Sequence, residues 1–311
     1  MKKWLWLFTI FLIVSFALTG CGDTEKKNTS SDNQLTVYTT VYPLQFFTEE
    51  IGGEAVNVET IYPPGADEHT FEPSQKDMIK LADSDLFIYV GLGLEGFVEK
   101  AKDTLQNEKV TMVAAGDAIH FDEDTTSTEE KHEGHSHGDI DPHVWLDPIY
   151  AKELAGSIKN ALIKKDPEHE ETFTQNYDRL VQKLDDLDSQ FSEMAKGAEH
   201  KEFIVSHAAY GYWEKRYGLE QISISGISTS SEPSQKDLES IVKTAKETNS
   251  RYIYFEQNVS SKLTEIVQKE IGAKALTLHN LSVRTEEDMK NNRDYFSIME
   301  DNLQALKKVI N

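Results

Sequence analysis

Six residues, Glu72-Pro73-Ser74-Gln75-Lys76-Asp77, recur unchanged 160 positions later as Glu232-Pro233-Ser234-Gln235-Lys236-Asp237. A helical pattern follows each copy. An aromatic-rich run follows each helix, Phe87-Ile88-Tyr89 in the first half and Tyr252-Ile253-Tyr254 in the second. Proline at the first helical position and an acid in the first turn are common helix-start chemistry, so the six residues alone carry little weight. The matching helix and strand downstream point to an internal duplication. Two copies of one strand–helix unit restrict the chain to two similar lobes with a cleft between them.

The remaining pattern fits that restriction. In the first half, strands are predicted at 35–39, 56–61, 86–90 and 110–113, and helices at 43–51, 75–82 and 96–105. In the second half, strands are predicted at 203–205, 221–224, 252–255 and 273–276, and helices at 210–217, 235–248, 260–271 and 286–310. Alternation of this kind predicts an α/β fold of two parallel-sheet βα lobes. Two helices should join them. Asp147-Pro148 and Asp166-Pro167 each read as an N-cap followed by proline at the first helical position. In the second of these helices Phe173, Tyr177, Leu180, Leu184, Leu187, Phe191 and Met194 step alternately by four and three, which makes one face apolar. From Pro167 to Lys196 it would span on the order of 45 Å, longer than either lobe needs, and Gly197 should stop it. The expectation is one long rigid helix bridging both lobes. The expected division is an N-terminal lobe at 35–147, connecting helices at 148–198 and a C-terminal lobe at 199–311.

The amino terminus reads as an address. Lys2 and Lys3 precede an apolar run of 15 residues from Trp4 to Leu18. That run is shorter than the roughly 20 residues of a membrane span and suits a signal-peptide core at 1–20. Leu18-Thr19-Gly20-Cys21 resembles the bacterial lipobox, which implies cleavage before Cys21 and a lipid on its sulfur. Cys21 is the only cysteine, so no disulfide framework exists and no thiolate is left for a metal elsewhere. Residues 21–34 are polar and read as a flexible tether. The expected location is the extracytoplasmic face of the cell membrane, with the body held by a lipid anchor. The formal charge of −22 argues against a nucleic-acid partner and suits a cationic ligand. The P-loop pattern G-x-x-x-x-G-K-[S/T] and the metalloprotease pattern H-E-x-x-H do not occur in the sequence, so neither supports an enzymatic reading.

The histidines are unevenly placed. His132, His135 and His137 lie in an acidic stretch at 120–140 that is nearly free of apolar residues and reads as a mobile loop. His69, His143 and His207 instead sit at predicted strand ends or turns, beside apolar residues. In open α/β sheets ligands are met at the carboxyl ends of strands. A single histidine there is usually structural, but three in equivalent settings across both halves make a candidate metal site. Three imidazoles and one further donor form a tetrahedral zinc site at about 2.0–2.1 Å, whereas manganese favours carboxylates and water.

Three segments carry a specific resemblance: Gly65-Ala66-Asp67-Glu68-His69-Thr70-Phe71-Glu72-Pro73, Asp141-Pro142-His143-Val144-Trp145-Leu146-Asp147-Pro148 and Ser206-His207-Ala208-Ala209-Tyr210. They resemble the metal-contact segments of the zinc- and manganese-binding lipoproteins of bacterial ABC importers, solute-binding protein family 9 (cluster A-I). The likeness extends to the order of segments, the long helix, the His-rich insertion and the lipobox, and its nearest type is the binding lipoprotein of high-affinity zinc uptake. The resemblance implies that His69, His143 and His207 hold transported Zn²⁺. It also implies that the partners are ABC permease subunits with a cytoplasmic ATPase, that the chain acts as a monomer, and that it has no enzymatic activity. His132, His135 and His137 become an auxiliary, weaker zinc collector. Manganese-type members carry a glutamate where His207 stands and an aspartate late in the chain. Here the late segment, Leu278-His279-Asn280-Leu281-Ser282, has no acid. The fourth zinc ligand is therefore open among water, His279 and Glu68. The alternatives are a manganese receptor of the same fold, a zinc-dependent surface hydrolase, and an adhesion lipoprotein with structural metal. A rigid connector predicts a small tilt or loop rearrangement on binding rather than a wide hinge closure.

Overall fold

A computed structural model describes residues 34–121, 140–229, 233–248, 250–257 and 261–310. The signal segment, Cys21 with its tether, and His132, His135 and His137 lie outside the described residues.

Parallel pairing builds two four-stranded sheets. In the first, β1 (Leu35–Thr39), β2 (Val56–Thr60), β3 (Leu86–Tyr89) and β4 (Thr111–Ala114) lie in the order β2-β1-β3-β4. In the second, β5 (Glu202–His207), β6 (Glu220–Ser225), β7 (Tyr252–Phe255) and β8 (Lys274–Thr277) lie in the order β6-β5-β7-β8. The two orders are the same, as the sequence repeat predicts. The repeat itself starts a helix in each half, α2 (Gln75–Asp83) and later α7 (Gln235–Glu247). Ser74 and Ser234 each accept the N–H of the third helical residue, and Asp77 and Asp237 reach back to the cap, so both helices begin with a capping box.

The other helices are α1 (Tyr42–Gly52), α3 (Val98–Leu105), α4 (Pro148–Lys165), α5 (Glu170–Lys196), α6 (Gly211–Tyr217), α8 (Lys262–Ile271), α9 (Glu286–Lys290) and α10 (Tyr295–Ile310). Helix α5 is the predicted connector. Its 27 residues span roughly 40 Å. Phe173, Leu180, Leu184, Leu187, Phe191 and Met194 are buried along one stripe, with Tyr177 half-buried. The stripe packs on α1 from the first half and on α6 and α10 from the second, so the helix lies across both.

Three details depart from expectation. Asp147 caps α4 through the N–H groups of Ile149 and Tyr150, but Asp166 caps nothing. Its carboxylate bonds the His169 ring at 2.6 Å, Pro167–His169 form a 3-10 turn, and α5 starts after it. Gly197 ends α5 with φ −84°, so its freedom to turn left-handed is not used. The predicted helix at 286–310 is two helices. Asn292 adopts φ +51°, and Asp294 and Ser297 then exchange hydrogen bonds of 2.8 Å that restart the chain as α10. Among the described residues no helix is long and apolar enough to cross a membrane.

Candidate metal centre

Strand ends and turns bring the three segments together. His69 lies between β2 and α2, beyond the carboxyl end of β2. His207 is the last residue of β5. His143 precedes a 3-10 turn at Val144–Leu146 that leads into α4. Their ring centroids are 5.2 Å (His69–His143), 5.3 Å (His69–His207) and 4.9 Å (His143–His207) apart. One nitrogen from each ring lies within 4.8 Å of the others, and among the described residues no other group of histidine, cysteine or acid side chains has metal-holding geometry.

Each ring is aimed by its surroundings. Asp141 accepts both the backbone N–H of His143 (3.0 Å) and its Nδ1 (2.7 Å). That contact fixes the proton on Nδ1 and leaves the Nε2 lone pair free. The segment is pinned to the second half. Tyr212 donates to the Asp141 carbonyl at 2.5 Å, Trp145 donates to the Asn280 carbonyl at 2.7 Å, and Tyr295 donates to the Trp145 carbonyl at 2.7 Å. On the other side Asp67 accepts the His69 N–H at 2.9 Å and closes the turn that presents the ring. Because β5 and β7 run parallel with Val205 opposite Tyr254, His207 falls beside Glu256. Its Nδ1 meets Glu256 Oε1 at 2.9 Å.

The Nε2 atoms of His69 and His143 are buried without a hydrogen-bond partner. Burial of two polar nitrogens with nothing to bond costs free energy unless something at that point accepts their lone pairs. His69 is held down at about 3 by burial and then by the neighbouring His143 and His207, so its ring is neutral. His207 goes the other way. Burial is the largest single influence and lowers it, but the charge and hydrogen bond of Glu256, the Ile227 carbonyl and Glu68 together push it up to about 9.

Comparison with known proteins decides the family. A family described as zinc-uptake complex component A, periplasmic (ZnuA), matches residues 37–309. The high-affinity zinc uptake system protein ZnuA of Bacillus subtilis is 37% identical over 318 residues, covering 98% of this chain and 97% of that protein. This chain belongs to the ZnuA family. The zinc-binding lipoprotein AdcA of Streptococcus pneumoniae is 39% identical over 282 residues, covering 89% of this chain but only 56% of AdcA. The chain thus spans about half the length of that relative. The crystal structure of the Zn(II)-bound ZnuA-like domain of the same AdcA superposes with a TM-score of 0.72 at 37% identity, covering 89% of this chain and 99% of that one.

Within this ZnuA-family chain the three predicted histidines converge, but His279 does not join them. Its Nδ1 accepts the Leu281 N–H at 2.9 Å and its Nε2 meets Asp288 at 3.2 Å, which makes it a loop-closing residue. Glu68 is buried near the cluster, and its Oε1 accepts from Asn280 Nδ2 at 3.0 Å. Burial, then the charge of Glu256, pushes its carboxyl upward. Sequence reasoning missed the supporting roles of Asp141 and Asn280. Asp141 had a local signal, an acid two residues before a histidine with proline between. Asn280 had none, because its partners Gln257, Glu68 and Trp145 come from distant segments.

Proposed function

We propose that this chain is an extracytoplasmic receptor that captures Zn²⁺ at His69, His143 and His207 and hands it to an ABC-type permease. The carrying observation is the pair of buried, partnerless Nε2 atoms on His69 and His143, converging with the ring of His207. An all-imidazole donor set favours zinc over manganese. Asp141 and Glu256 support two of the three rings, as carboxylates do for metal-bound histidine. Water or the nearby Glu68 completes the coordination. A ligand held by neutral imidazoles and released whole needs no general acid or base, so the chain acts by binding and not by turnover. The lipobox at Cys21 supplies the membrane anchor. His132, His135 and His137 form a weaker collector, because ordering a loop around metal costs conformational entropy that a preformed site avoids.

The test equilibrates the protein with Zn²⁺ and Mn²⁺ together under a competing chelator, beside H69A, H143A and H207A variants. One tight zinc per chain, lost in each variant while the fold is retained, is expected. Manganese retained in preference to zinc would move the assignment to a manganese receptor. Deleting residues 122–138 should leave that one tight site intact, and its loss there would refute the auxiliary role of the loop.

A further inference from the structure

One short segment touches both sides of the metal centre. After β6 the chain passes through Gly226, Ile227, Ser228 and Thr229. The Ile227 carbonyl accepts a hydrogen bond from His207 Nε2 at 2.7 Å. Two residues on, Thr229 Oγ1 donates to Asp67 Oδ2 at 2.7 Å. The other Asp67 oxygen holds the N–H groups of His69 (2.9 Å) and Thr70 (3.1 Å). Residues 226–229 therefore tie the ring of His207 in the second half to the loop that presents His69 in the first.

These bonds conflict with metal binding at one atom. An imidazole nitrogen that donates its proton to a carbonyl has no lone pair for a cation. The Nδ1 of His207 is already engaged by Glu256. The Ile227 carbonyl and a metal ion thus compete for His207 Nε2. Core packing does not hold the Ile227 carbonyl in place, because that residue is 37% exposed; the strap's other tie to β5 and its following turn is the Gly226 carbonyl, which accepts the Ala208 N–H at 3.3 Å.

We propose that residues 226–229 form a displaceable strap over the metal centre, with Thr229 and Asp67 as positioning residues that hold the Ile227 carbonyl on His207. This rests on the zinc-receptor reading of the site. Zinc loads His207 only after the strap swings off Nε2, so the strap lowers the fraction of molecules ready to bind. Apparent affinity falls by that same fraction.

The experiment measures zinc association by stopped flow and affinity by chelator competition, using the full chain and its T229V, T229A and T229S variants. Removing one hydrogen bond of ordinary strength should raise both the association rate and the apparent affinity of T229V and T229A by about fivefold. T229S keeps the hydroxyl and should match the parent. Thermal unfolding of each variant confirms that the fold is kept. Unchanged or slower association in T229V and T229A, or weaker binding, would show that the strap supports the loaded site or does nothing, and would overturn the proposal. A parent chain that binds no zinc would overturn the receptor reading and the strap together. Zinc binding without any response to position 229 would overturn the strap alone.

Discussion

The two halves share one strand order but differ in what lies behind their sheets. In the first half both sheet faces join a single large core. Phe47, Leu81, Phe87, Ile88, Ala101 and Leu105 belong to the same buried cluster as the connecting helices. In the second half the strands divide their side chains. Phe203, Val205 and Tyr254 face that main core, while Ile204, Ile224 and Ile253 turn to the other face. There they meet only Ala245 of α7 and Val267 of α8 as fully buried partners, a small satellite core. The site repeats the asymmetry. His69 from the first half is kept neutral by burial, and His207 from the second is charged by Glu256 and bound to a strap. The duplicated fold packs both sheet faces of its first half into the main core, as a platform, and leaves its second half with one sheet face on a small core of its own. Local opening free energy follows buried apolar contact, so α7, α8, β7 and β8 should exchange their amide hydrogens before β1 and β3.

The largest effect should come from the platform. F47A removes a fully buried ring between α1 and α10 and should cost about 3–5 kcal/mol of global stability. I253V trims the satellite core and should cost about 0.5–1.5 kcal/mol. Denaturant melts measure both losses, and the matched pair I88V and I253V, one in each core, tests the difference: equal losses in that pair would remove the distinction between the halves.

The pH dependence of zinc binding should follow His207. Its raised pKa, about 9, favours the charged ring, and that charge stabilises the fold below the ordinary value of about 6.5. The stabilisation is lost as pH rises through about 9. Zinc needs the neutral ring, so binding expels a proton below that point. Affinity should then fall about tenfold per pH unit from pH 9 downward. His69, neutral above about 3, adds nothing in that range. Chelator competition at several pH values, with proton release followed by dye, checks the slope. The E256Q variant should move the window down toward the ordinary histidine value, and an unmoved profile would mean that Glu256 does not set it.

Next in size is D141N, which weakens the brace on His143. It should lower zinc affinity by about 10–100-fold with the fold intact, as loss of a ligand-orienting partner does. Calorimetry of the purified variant measures it. The smallest effect compares the two copies of the repeat directly. S74A and S234A each delete one capping hydroxyl and should each cost about 1 kcal/mol. Hydrogen exchange should assign the first loss to the global transition and the second to local opening of α7.

Most of the fold was legible because its signals are local. The repeat announced two equal sheets, and the four-three spacing from Phe173 to Met194 announced α5. The misreadings were also local conflicts. At 286–310 the apolar period continues, but Asn292 turns left-handed at φ +51° where one helix ends, and Asp294 and Ser297 exchange the hydrogen bonds that start the next. At Asp166 the carboxylate found the His169 ring before it could cap. The clustering of the three histidines was legible because each sits at a strand end or turn inside a distinctive segment. Neither the hold of Ile227 on His207 nor that of Asn280 on Glu68 could be read, since each depends on pairing between residues far apart in sequence.

The central claim is that three imidazoles from two unequal halves hold one zinc ion. Zinc-edge X-ray absorption on the chain loaded with a single equivalent of zinc tests it most directly. The account predicts three histidine nitrogens at about 2.0–2.1 Å and one further light atom, with this signature lost in H69A, H143A and H207A. A shell dominated by oxygen, or a three-imidazole signature that survives replacement of these residues, would contradict it.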